Sequence, residues 1–141
     1  MRRSGVVIVL IVLLAFALAR PLAAEPAPAP EDVDNTYQAC LDNASGNLEM
    51  IACTDTAASA WDKILNANYK AASAALDDKN HKLLREAQRK WLHYRDADQA
   101  FRDSDWSNSG GLDMKLFLAE ARMQIVKARA QVLSTYAPMT E

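Results

Sequence analysis

The chain has 141 residues, half of them hydrophobic, and its 16 Lys+Arg against 18 Asp+Glu give a formal charge of −2. A mild acid excess offers no cationic footprint, which argues against nucleic acid and anionic lipid as partners. Two cysteines and two histidines, His81 and His93 remote in sequence from both cysteines, leave little for a metal centre.

The chain opens Met1-Arg2-Arg3, runs through an uncharged apolar stretch over residues 6–19, and continues Arg20-Pro21-Leu22-Ala23-Ala24 into the polar Glu25-Pro26. A basic start, an apolar core and small residues before a polar stretch are the layout of a secretory signal peptide. The apolar run of about 14 residues is shorter than the ~20 that span a bilayer. A cleavable leader is therefore expected, with a retained anchor helix as the alternative. Cleavage after Ala24 would put Leu22 and Ala24 in the two pockets of the peptidase, and cleavage after Ala19 is a second solution. No cysteine lies near either cut, so no lipoprotein is expected. Losing Arg2, Arg3 and Arg20 leaves 13 basic residues against 18 acids, a mature charge of −5. That suits a cationic partner through weak, salt-sensitive steering, although many soluble domains are as acidic without one. The expected location is the periplasm or the exterior, with no stable membrane anchor after cleavage.

The organisation expected is a signal over 1–24, a Pro/Ala-rich tether over 25–33 and one helical domain over 34–141. Glu25-Pro26-Ala27-Pro28-Ala29-Pro30-Glu31 reads as an extended tether that packs no core. A short first helix is expected over residues 35–42, carrying Tyr37 and Cys40. The turn Asn43-Ala44-Ser45-Gly46 follows, with Asn47 as the N-cap of a long second helix. On that helix Met50, Cys53, Ala57, Trp61, Ile64, Leu65, Tyr69, Ala72 and Leu76 recur at steps of three and four, one apolar face. Asp77-Asp78-Lys79-Asn80 breaks it. The third helix carries Leu84, Ala87, Trp91, Tyr94 and Phe101 on one side, with Asp98 interrupting. A loop over 104–111 holds Ser107-Asn108-Ser109-Gly110-Gly111. Asp113 is expected to cap the last helix, whose seam is Met114, Leu118, Ala121, Ile125, Ala128 and Val132. In an exported chain, two cysteines most simply form one disulfide. Cys40 and Cys53 close a loop of about 14 residues, stabilising the fold by roughly 3 kcal/mol in the chain-entropy model. A metal site or a redox pair are the other uses of such cysteines. The expected fold is all-α, a small antiparallel bundle of three long helices and a short N-terminal one.

No catalytic pattern emerges. Gly110-Gly111 is the one glycine pair and no phosphate-loop motif follows it; neither histidine sits in a recognisable hydrolase motif. The acids read as a solvated helix face or as i,i+4 pairs such as Glu86 with Lys90. A binding protein is thus expected, with no cofactor and no metal. Two local features exceed this background. One is Gln88-Arg89-Lys90-Trp91-Leu92-His93-Tyr94-Arg95-Asp96, which reads as an aromatic core contact with an arginine bridging to a neighbouring helix. The other is the loop with Asp103, Asp105, Trp106, Gly110 and Gly111. Its tryptophan, outside the apolar stripes, fits either a protein-binding patch or a lid folded onto the bundle end.

Several pieces together resemble the lysozyme inhibitor LprI-like domain family of exported bacterial proteins. They are Tyr37-x-x-Cys40; Gly46-Asn47-x-Glu49-Met50-x-x-Cys53; Leu65-Asn66-x-x-Tyr69; Leu84-Arg85-x-Ala87-Gln88-Arg89-x-Trp91-Leu92-x-Tyr94-Arg95-Asp96; Gly110-Gly111; and Lys127-Ala128-Arg129-Ala130-x-x-Leu133. The residues marked as family or structural positions are Leu65, Asn66, Tyr69, Gln88, Trp91, Tyr94, Arg95, Asp96 and Arg129. The chain departs from the family pattern where a second cysteine pair is usual, with Gln99 and Ala121 in those places. Val126 stands where a threonine is common. The resemblance implies an exported helical domain that binds and blocks a lysozyme-type muramidase. A periplasmic helical chaperone or stress-response adaptor without a hydrolase target is the competing expectation, and it would expose a broad apolar concave surface.

Overall fold

The computed structural model describes residues 26–136, so the expected leader and the last five residues lie outside the described part. Four substantial helices and one short one follow in order: α1 Pro30–Asp42, α2 Asn47–Ala74, α3 Asp78–Arg102, α4 Asp105–Asn108 and α5 Gly111–Ser134. There is no strand among the described residues. The all-α class, the three long helices and the short N-terminal helix are as the periodicity implies.

Helix α1 starts five residues earlier than its apolar spacing suggests. Pro30 occupies the first turn, where its missing N–H is no loss, and Glu31 and Asp32 face the positive end of the helix dipole. Val33 is buried and Ala27 packs against the core, so the extended stretch ends before Pro30 and its neighbours are not a free tether. The N-cap of α2 is Gly46 rather than Asn47, with the Gly46 carbonyl accepting from the amides of Glu49 and Met50. The Glu49 side chain reaches back past the cap to accept from the Ser45 N–H at 2.6 Å. The acidic break after α2 is brief, because Asp77 caps α3 by accepting from the Asn80 N–H at 2.8 Å.

The bundle alternates direction. Asp55 of α2 pairs with Arg122 of α5 at 3.0 Å, and Asn68 of α2 donates to the Ala130 carbonyl at 2.9 Å, so α2 and α5 run parallel. Helix α3 returns antiparallel between their opposite ends, and α1 lies antiparallel to α2. The closest helix pair is α2 with α5. Ala57 and Ala72 of α2 and Ala119 and Ala130 of α5 are all buried, small residues that permit close packing of helices. Trp61, Ile64, Leu65, Met123, Val126 and Leu133 fill the remaining core.

Two stripes were misplaced by periodicity. On α5 the buried face is Ala119, Met123, Val126, Ala130 and Leu133. The expected seam lies to one side: Met114, Leu118, Ala121 and Ile125 are half-buried, Ala128 and Val132 exposed. Both stripes step by threes and fours and each holds two alanines, so spacing alone does not tell which one packs on α2. On α3 only Leu84 and Gln88 are buried, Trp91 is half-buried, and Ala87, Tyr94 and Phe101 are exposed. This helix leans on the α2/α5 pair at a few points instead of inserting a full face.

Cys40 and Cys53 form the disulfide, with Cα atoms 5.8 Å apart. It joins the end of α1 to the first turns of α2. Tyr37 Oη and Thr54 Oγ1 lie 3.2 Å apart beside it, and Lys127 holds Asp34 at 2.7 Å from the α5 side. No described helix is long and apolar enough to cross a membrane.

Candidate functional site

Two surface features combine chemistry with shape. The first is the end of the bundle where α3 stops. Asp103 is the C-cap of α3, and its carboxylate accepts from Gln99 Nε2, with both oxygens 2.8 Å away. This hydrogen bond ties the last turn of α3 onto itself. The expected loop contains a helical turn, α4, opening with Asp105 and Trp106. Trp106 neither stands alone nor lids the core. It stacks on Phe101 of α3, with ring centroids 5.1 Å apart and planes at 20°. Trp106 is 51% and Phe101 59% exposed, so the pair forms an aromatic knob beside Asp103 and Asp105.

The glycines that end this segment have separate reasons. A Cβ on Gly110 would collide with the Met114 side chain, and Gly111 opens α5 at φ 62, in the left-handed region that favours glycine. Gly110 is the N-cap, a role the sequence assigned to Asp113. Asp113 sits in the first turn and accepts from Asn47 Nδ2, joining the starts of α5 and α2. A cleft of about 370 Å³ lies alongside, lined by Leu48 and Ile51 of α2, Gln99 and Arg102 of α3, and Leu112 and Leu118 of α5, among others.

The second feature is a cleft of about 380 Å³ between α2 and α3. Here the separate sequence pieces converge: Leu65, Asn66 and Tyr69 from α2 face Gln88 and Arg95 from α3. Trp91 is flanked by two guanidinium groups, Arg95 at 5.4 Å and Arg129 at 5.9 Å from its ring centroid. Arg129 Nε donates to Gln88 Oε1 at 3.0 Å, which links α5 to α3. Arg95 pairs with its neighbour Asp96 at 2.8 Å. Tyr94 is exposed and does not line this cleft.

Arg85, Arg89 and Leu92 also line it and were not among the expected site residues. The signal was present, since positions 85, 88, 92 and 95 step three, four and three along one helix face. Phe101 was missed for another reason: the helix ends between it and Trp106, and no periodic rule spans that break. Glu86 forms the expected pair with Lys90 only at 3.8 Å, and Arg89 lies closer at 2.8 Å. The hydrogen bond from Arg89 holds the Glu86 carboxyl below its ordinary pKa.

A family model described as lysozyme inhibitor LprI matches residues 40–133, from the first disulfide cysteine to the last buried leucine of α5. The chain belongs to the lysozyme inhibitor LprI family. The matched segment spans both the aromatic end and the cleft between α2 and α3. Neither the comparison with curated proteins nor that with solved structures finds a match.

Proposed function

We propose that this LprI-family chain is an exported, non-catalytic inhibitor of a lysozyme-type muramidase, docking through the bundle end that carries Phe101, Asp103, Asp105 and Trp106. The observation that carries the site is the half-exposed Trp106–Phe101 stack. Tryptophan dominates binding hot spots because one rigid side chain buries a large area at low entropic cost. Pre-stacking on Phe101 lowers that cost further. A muramidase cleaves its glycan in a groove between two carboxylates. A knob on a rigid bundle end can obstruct such a groove, and the adjacent aspartates suit a basic rim. The glycine pair that lets α5 start beside the knob falls within the same segment.

The test is clearance of a bacterial wall suspension by lysozyme in the presence of the purified protein. Lysis should slow as the protein is titrated in. Trp106→Ala should weaken inhibition by about thirtyfold, the equivalent of a ~2 kcal/mol hot spot, with thermal stability nearly unchanged. Charge reversal at Asp103 and Asp105 should mainly slow association and reduce its salt dependence. If several muramidases clear the wall at full rate, the inhibitor reading fails and the chaperone or adaptor reading replaces it. If Trp106→Ala inhibits as well as the parent, the docking site lies elsewhere.

A further inference from the structure

The cleft between α2 and α3 concentrates guanidinium groups. Arg85, Arg89 and Arg95 line it from α3, against the single carboxylate of Asp62 from α2. Arg89 and Arg95 are paired with Glu86 and Asp96 of their own helix. Among the described residues no carboxylate pairs with Arg85 or with Arg129. Arg129 stands one layer behind the cleft, bonded to the lining Gln88, and its Nη2 is buried without an acceptor. A partly buried guanidinium with no counter-charge is costly, and its field adds to that of the three arginines in front. All this occurs on a chain whose net charge is negative.

We propose that this cleft binds a small carboxylate-bearing ligand. The planar guanidinium fork matches a carboxylate in two parallel hydrogen bonds, and Arg85, in no ion pair, can supply it, while the Nε and Nη2 of Arg95 already donate to Asp96 Oδ1. Leu65, Tyr69 and Leu92 offer an apolar bed for the body of the ligand. Asp62, already accepting from Asn66 at 3.0 Å, can take a hydroxyl or amide donor. Its negative charge, with Glu86 nearby on α3, opposes a phosphate dianion. The carboxylate can belong to an acidic sugar or to the C-terminus of a short peptide. On α3 its lining runs from Arg85 to Arg95, roughly 24 to 9 Å before Phe101 by helical rise, and it shares no residue with the aromatic knob, so the two are tested separately.

The experiment is NMR titration of the ¹⁵N-labelled protein with N-acetylmuramic acid, dialanine, N-acetylglucosamine and inorganic phosphate. N-acetylglucosamine has the ring of N-acetylmuramic acid without its lactyl carboxylate. Saturable shifts of the Arg85 and Arg95 Nε–H and Gln88 side-chain signals are expected with at least one of the two carboxylates. Which of them binds tighter identifies the source, sugar or peptide. Arg85→Gln should weaken that binding by roughly ten- to a hundredfold without moving the melting temperature, since Arg85 is exposed and in no ion pair. The proposal is overturned if neither carboxylate shifts these signals more than N-acetylglucosamine does, if phosphate binds tighter than both, or if Arg85→Gln binds as the parent does.

Discussion

Trp61 and Trp91 both sit on apolar helical spacings, yet their surroundings differ. Trp61 is 1% exposed in the core between α2 and its neighbours, with the Lys127 ammonium 4.9 Å from its ring centroid. Its Nε1 is buried without a partner, so its burial is driven by area and not by hydrogen bonding. Trp91 is half-buried under two arginines. Trp61→Ala should therefore cost roughly 3–5 kcal/mol, and Trp91→Ala clearly less, as measured by urea unfolding of both variants. Equal losses would place Trp91 in the core after all. Glu86 gives a residue-scale test of a different kind. Its folded pKa is depressed first by the hydrogen bond from Arg89 and also by the charges of Arg89, Lys90 and Arg85. A depressed carboxyl stabilises the fold above its ordinary range and loses that contribution as pH falls through the folded value. An NMR titration should show the Glu86 midpoint below that of a free glutamate, returning toward it in Arg89→Gln; an unchanged midpoint would assign the shift to other charges. At this scale the sequence was readable where one helix face decides burial, as from Cys53 to Ala72 on α2. The pairing of Gln88 with Arg129 was not readable, because a hydrogen bond across 41 positions leaves no local pattern.

Elements were legible wherever a local signal acts alone, and less so where two helices compete for a third. Helix existence on α2, α3 and α5 follows from long stretches free of proline. The contact face of α5 does not, because α5 has two apolar stripes of the same spacing with two alanines in each, and only the packing against α2 tells them apart. Helix α1, like α3, puts a single residue into the hydrophobic core: Val33 is its one buried side chain. It depends on the disulfide, the Tyr37–Thr54 hydrogen bond and the Asp34–Lys127 pair, the last of which is surface-exposed and weak. Cys40→Ser should destabilise the domain by roughly 2–4 kcal/mol. In hydrogen exchange, amides of α1 should lose protection first while those of the α2/α5 contact keep theirs. Loss of protection throughout would mean that α1 is part of the cooperative core.

At the scale of the whole molecule, the tight α2/α5 pair is a rigid spine and α3 is a lighter strut laid across it. That arrangement leaves α3 lining an arginine-bearing cleft at mid-length and presenting Phe101 at its end. Under the proposed inhibitor role, the exposed aromatic stack is the place to look for the partner. The direct measurement is amide hydrogen exchange of the protein alone and with saturating lysozyme. The account predicts added protection confined to residues 101–113 and the adjoining first turn of α2, with the α2–α3 cleft unchanged. Protection centred instead on the cleft, or none at all in the presence of bound lysozyme near Trp106, would contradict it.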